Sequence, residues 1–125
     1  MKMPKKIYIT EKDIDRLNSI LMNIKDSPVV RKLQDELDRA TILNPEEIPP
    51  DVVTMNSRVQ FKTLETDSTS EITIVYPSDA DSSQARVSIL APVGAALIGL
   101  RVGDEIEWVL PTGLVRTFQI LSVGD

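Results

Sequence analysis

The 125-residue chain contains no cysteine and no histidine. Without thiols there is no disulfide framework, no zinc–thiolate site and no thiol nucleophile, a composition compatible with the cytosol. Without imidazole, phosphohistidine transfer, Ser-His-Asp hydrolysis and His-assisted zinc catalysis are all excluded. No Gly-rich phosphate loop of the Walker or Rossmann kind is present either. Aromatic residues make up only 4% of the chain. The longest apolar run is far too short for a bilayer, and with a basic opening followed by an isolated Ile7-Tyr8-Ile9 no signal peptide is expected. These absences lead us to expect a soluble, cytoplasmic, non-enzymatic protein with no cofactor, no metal, no catalytic residues and no membrane partner.

Basic charge is also scarce where it would matter most for nucleic acid. Residues 1–60 carry ten basic and ten acidic side chains, so the whole net charge of −5 falls on residues 61–125. Gripping phosphate backbones needs clustered Lys and Arg, so direct nucleic-acid binding is not expected and a basic protein surface is the better partner.

What is present divides in two. Thr10 precedes Glu11-Lys12-Asp13, a capping-box-like helix start in which Asp13 reaches back, and Ile14, Leu17, Ile20, Leu21 and Ile24 then form an apolar stripe. Asp26-Ser27-Pro28 breaks this helix and starts another, with Ser27 as cap and Pro28 at the first helical position. Val30, Leu33, Leu37 and Ala40 make the second stripe, with Arg31, Lys32, Gln34, Asp35, Glu36, Asp38 and Arg39 on the polar face. Two short amphipathic helices joined by a turn predict an antiparallel hairpin over residues 1–44, with arms of ~22 Å and Lys25, Asp26 and Ser27 at its tip.

Residues 45–51 form a Pro-rich linker, after which the period becomes strand-like. Strands are expected at 58–63, 71–76, 86–90, 105–110 and 114–123, with a polar turn at 65–70 and a surface loop at 77–84. Between the third and fourth, Ala91-Pro92 opens a short helix and Gly99 supplies a left-handed stop, before Val102-Gly103-Asp104 returns the chain to strand. The expected fold is α+β: a helical hairpin followed, over residues 52–125, by about five mainly antiparallel strands with one short helix.

This arrangement, and above all residues 91–104, resembles the carboxy-terminal domain of the bacterial transcript-cleavage (Gre) factors, whose fold is FKBP-like. Within that superfamily, residues 51–59 together with 91–104 resemble the Rnk family, regulators of nucleoside diphosphate kinase. The resemblance implies a transcription regulator that binds core RNA polymerase at the secondary channel and competes there with Gre factors and DksA-like proteins. It implies control of the kinase's level, and the missing histidine agrees, since the kinase itself works through a phosphohistidine. By the same resemblance Leu90, Ala91 and Pro92 occupy the polymerase-docking positions, and only Pro92 matches the Gre pattern directly.

Gre factors act through two carboxylates at the hairpin tip beside the polymerase magnesium. Here the tip offers Asp26 alone, on an arm about half as long, so exclusion of longer-armed competitors is the expected role. A Gre-like cleavage factor, a prolyl isomerase and a dimeric interaction module pairing its helical stripes between chains are the alternatives; a monomer is expected. Thr54-Met55-Asn56-Ser57 either meets a partner or organises the linker. Trp108 is expected in the core with Ile106 and Leu110, and Asp104, Glu105 and Glu107 on a solvated strand face.

Overall fold

The computed structural model describes residues 7–109 and 112–124. Strand β1 (Tyr8–Ile9) leads into α1 (Glu11–Met22), α2 (Pro28–Asp38) and β2 (Thr41–Ile42). β3 (Arg58–Thr63), β4 (Ser68–Val75), β5 (Arg86–Ser88), α3 (Pro92–Leu97), β6 (Glu105–Val109) and β7 (Val115–Gly124) follow. The five later strands form one sheet in the order β5-β4-β3-β7-β6, antiparallel throughout except for the parallel pair β4/β5.

The helix boundaries follow local chemistry. Thr10 caps α1 by accepting from the Asp13 N–H at 3.2 Å, and Ser27 caps α2 by accepting from Val30 at the same distance, with Pro28 leading that helix. Ile14, Leu17 and Leu21 of α1 and Val30, Leu33 and Leu37 of α2 are buried in one cluster, so the two stripes are covered within a single chain. The helices hold twelve and eleven residues, so the arms are ~18 Å long, shorter than expected. Glu36, assigned to the polar face, is instead only 8% exposed.

Periodicity misses β1 and β2, which are two residues each and pair in parallel, Tyr8 opposite Thr41 and Ile9 opposite Ile42. Thr41 donates to the Ile7 carbonyl and Leu43 to that of Ile9, at 2.8 and 2.9 Å, closing the base of the hairpin. β4 starts at Ser68, earlier than expected, because the turn is confined to a tight reversal in which Asp67 takes a positive φ of 60°. β5 ends at Ser88, where the chain turns towards α3. The expected strand residue Leu110 lies outside the described residues, as does the side chain of Trp108.

The core does not stop at the hairpin. Ile7, Ile9, Leu17, Leu21, Leu33 and Leu37 share one cluster with Val53, Met55, Val59, Phe61, Ile74, Leu97, Ile98 and Ile120. Each such side chain, fully buried, contributes roughly 1.5–3 kcal/mol. On the sheet's inner face Phe61 and Phe118 pack with ring centroids 4.9 Å apart. Between Gln60 and Phe61 the β3/β7 register shifts, skipping Leu121; this lets Ile120 and Val123, an odd spacing apart, both face the core while Leu121 is exposed.

Segment 45–51 is not a free spacer. Residues 45–47 form a short turn in which the Glu47 carboxylate accepts from the Asn44 N–H, a capping box. The next residues zip onto the loop after α3: Val53 donates to Leu100, Gly99 to Val53 and Val102 to Asp51, at 2.8 to 3.0 Å. Gly99 has the expected left-handed φ, 87°. The two stretches that carry the family resemblance are therefore neighbours in space.

α3 is held against β5 by close backbone approach. A Cβ on Gly94 would lie 2.4 Å from the Ser88 carbonyl oxygen. Gly94→Ala is therefore expected to destabilise the fold by about 1–3 kcal/mol, read from the midpoint of chemical denaturation. Gly124→Ala, whose Cβ would meet nothing within 4 Å, is expected to be near neutral.

Candidate docking site

The turn from β5 into α3 is small and tightly fixed. Ser88 holds it from both ends: its Oγ accepts from the Leu90 N–H at 3.0 Å and its carbonyl from the Ala91 N–H at 2.9 Å. Leu90 is partly buried and packs on the core, while Ala91 is half-buried at the N-cap and provides no side-chain cap. Pro92 is the first helical residue, where a missing N–H costs nothing; its ring lies outside the described side chains. Leu90, Ala91 and Pro92 thus form one rigid corner whose chemistry is apolar.

At the far end, the hairpin tip is exposed. Asp26 is paired with Arg31, Oδ1 to Nε at 3.3 Å, with both side chains about two-thirds exposed (69% and 66%). Lys25 is exposed, and Ser27 spends its hydroxyl on the α2 cap. Met22 stands 83% exposed just before the turn. The tip therefore offers one carboxylate, already partnered by a cation.

Thr54-Met55-Asn56-Ser57 organises the chain where the linker meets the sheet. Ser57 Oγ accepts from the Thr54 N–H, the Thr54 hydroxyl donates to the Tyr8 carbonyl, and Asn56 takes a positive φ of 65° while donating to Ile74. Asp104 closes the next turn by accepting from the Arg101 N–H at 2.7 Å. Glu105 and Glu107 are exposed on β6, a sheet edge, as expected for a solvated face. Among the described residues no group of three or more acidic side chains is arranged to hold a metal.

Two contacts between hairpin and sheet have no sequence signature. The Tyr76 hydroxyl donates to Asp13 Oδ1, and the Arg16 guanidinium lies 3.7 Å from the Tyr76 ring centroid. Asp13 therefore does not reach back as a cap; its carboxylate faces the sheet domain. On the other side Arg101 donates to the Tyr8 hydroxyl at 3.3 Å and stacks over its ring. Partners 63 and 93 residues apart leave no periodicity to read. Burial, then the hydrogen bond to Asp13 and its negative charge, raise the Tyr76 phenol well above its ordinary value, with Arg16 opposing. Elsewhere the Thr117 N–H lowers the Glu65 carboxyl, and the Ser83 hydroxyl and N–H lower that of Asp81.

Comparison with known proteins matches residues 46–125 to the family "Transcription elongation factor, GreA/GreB, C-term" and residues 5–43 to "Rnk N-terminus". The chain is 44% identical over 119 residues to the "Regulator of nucleoside diphosphate kinase" of Escherichia coli K12, covering 94% of this chain and 88% of that protein. It is 38% identical over 94 residues to "Transcription elongation factor GreA" of Alkaliphilus oremlandii, covering 75% of this chain but only 58% of that longer protein. Among solved structures, "Prokaryotic transcription elongation factor GreA/GreB from Nitrosomonas europaea" superposes with a TM-score of 0.87 at 46% identity, covering 98% of this chain and all of that one. GreA factor homolog 1 of Thermus thermophilus, at 20% identity and a TM-score of 0.53 over 97% of this chain and all of that one, shares the fold alone.

Tyr76 makes the hairpin–sheet seam sensitive to alkali. Its folded pKa is raised above the unfolded value of about 10. The folded state therefore keeps a proton that the unfolded state loses, and this contribution, full below pH ~10, is lost as pH rises through the folded value. Tyr76→Phe is expected to lower stability by about 1 kcal/mol at neutral pH and to remove that part of the alkaline decline. Urea melts of both proteins at neutral pH and above pH ~10 check this.

Proposed function

Because the chain belongs to the GreA/GreB transcription elongation factor family, with an Rnk-type N-terminus, we propose that it is a non-enzymatic regulator that docks at the RNA polymerase secondary-channel entrance and excludes Gre factors and DksA-like proteins. Its effect on nucleoside diphosphate kinase is then on the enzyme's level, through transcription. The observation that carries this reading is the pairing of a Gre-type α3 corner with a hairpin only ~18 Å long.

The corner Leu90, Ala91, Pro92 supplies an apolar contact for a polymerase surface. Its rigidity supports docking, because a turn already fixed by Ser88 loses little conformational entropy on binding. The acidic surface of residues 61–125 favours approach to a basic partner.

The tip argues against cleavage stimulation. Holding a second magnesium needs at least two convergent carboxylates, and Asp26 is single and paired with Arg31. Lys25, Asp26 and Ser27 instead fill space in the channel mouth, and no cofactor is required of the protein itself.

Fluorescence anisotropy with core polymerase is expected to give saturable binding that a Gre factor displaces and that Pro92→Asp weakens about tenfold or more. In arrested elongation complexes the protein is expected to slow Gre-stimulated transcript cleavage and to promote none itself. Absence of binding at micromolar protein would overturn the proposal. Acceleration of cleavage, lost in Asp26→Asn, would assign the protein to the cleavage factors.

A further inference from the structure

We propose that the outer face of the sheet carries a binding site for a phosphate group, held between Arg58 and Arg86. Three strands contribute one residue each to a single row: Arg58 on β3 lies opposite Thr73 on β4, which lies opposite Arg86 on β5. Residues opposite one another share a sheet face, and neighbouring strands are ~4.8 Å apart. Two guanidinium-bearing arms therefore start about 10 Å apart with a threonine between them. The adjacent residues Val59 and Ile74 point into the core, so this row faces solvent.

A cleft of about 430 Å³ opens over the row, walled by Arg58, Glu71, Thr73, Gln84 and Arg86. Its rim is fixed. Ala85 takes a left-handed φ of 55° and accepts from the Thr73 N–H at 2.9 Å, which ties the loop before β5 to the centre of the row.

The two cations of this cleft have acidic neighbours but keep their hydrogen-bond donors open. Among the described residues neither guanidinium makes a hydrogen bond to protein. Glu71 Oε1 is 3.8 Å from Arg58 Nε, near enough to attract but too far to accept a hydrogen bond. Asp81 lies opposite Arg86, the two exchanging backbone hydrogen bonds, and feels its charge; Asp81 Oδ1 accepts from the Ser83 N–H and hydroxyl, and among the described residues no hydrogen bond joins the carboxylate to the Arg86 guanidinium.

The ligand class follows from the geometry of the donors. A guanidinium presents a planar fork suited to oxyanions. Two forks, the Thr73 hydroxyl and the Gln84 amide together match the three terminal oxygens and double charge of a phosphate. A carboxylate, with two oxygens and one charge, would leave donors unused. The cleft is larger than one phosphate needs, leaving space for the group the phosphate is attached to. Glu71 competes for Arg58 and Asp81 for Arg86, which keeps binding weak.

The test is NMR titration of the full-length chain, following the Thr73 and Arg86 amides, with inorganic phosphate, pyrophosphate, glycerol 3-phosphate and acetate as probes. Saturable shifts with the phosphates but not acetate are expected. Arg58→Ala and Arg86→Ala each weaken binding about tenfold, Glu71→Gln tightens it, and Arg116→Ala leaves it unchanged. Stronger binding of glycerol 3-phosphate than of inorganic phosphate would identify a phosphorylated metabolite as the source, and the reverse a free ion. Arg86 sits on an exposed edge strand, so Arg86→Ala keeps the test valid should Arg58→Ala fail to fold. No saturable shift, equal response to acetate, or equal weakening by Arg116→Ala would overturn the proposal.

Discussion

The structure depends on one shared apolar core. Ile7 and Ile9, 1% and 0% exposed, come from the segment that leads into α1, yet they belong to the same cluster as the sheet residues Val59, Phe61, Ile74 and Ile120. An ~18 Å helical hairpin could not bury two apolar stripes well by itself, because isolated helices of this length are marginal in water. Packing on the sheet domain removes that weakness and fixes the direction of the arm. The Tyr76–Asp13 hydrogen bond and the Arg101–Tyr8 contact then pin the seam on two sides.

That constraint shapes the functional reading. A probe that must reach deep into a partner needs length and a tip rich in chemistry. This arm has neither, ending in a single ion-paired carboxylate and an exposed methionine. The other end is better built for recognition: the α3 corner is held by Ser88, by the glycine contact that lets α3 sit close on β5, and by the zipper between residues 51–53 and 99–102. A fixed corner and a short arm are the features on which the proposed surface-seated role rests.

Much of this was legible in the chain. The helices announced themselves through the caps Thr10 and Ser27, Pro28 and their apolar stripes, and the sheet strands through alternation of the kind seen in Val59 and Phe61. The left-handed stop at Gly99 followed from its chemistry. What escaped was non-local. β1 and β2 are too short for a period to register, and their partners are more than thirty residues apart. Asp13 looked like a cap because it sits where caps sit; only tertiary packing brings it the Tyr76 hydroxyl. Glu36 looked exposed because it is charged. The parallel pairing of β5, set by register against β4, could not be read from three residues. The row Arg58, Thr73, Arg86 exists only once three strands are aligned, so no sequence pattern marks it.

The proposed role requires the protein to seat on the polymerase surface with its arm confined to the channel mouth. The absence of cysteine allows a direct measurement: Lys25→Cys places one thiol at the hairpin tip, to which an iron chelate can be attached to generate hydroxyl radicals locally. Bound to core polymerase, the labelled protein is predicted to cut the polymerase chains that line the channel entrance and to leave those around the catalytic magnesium intact. Cuts at the catalytic centre, or none on polymerase at saturating protein, would contradict the account.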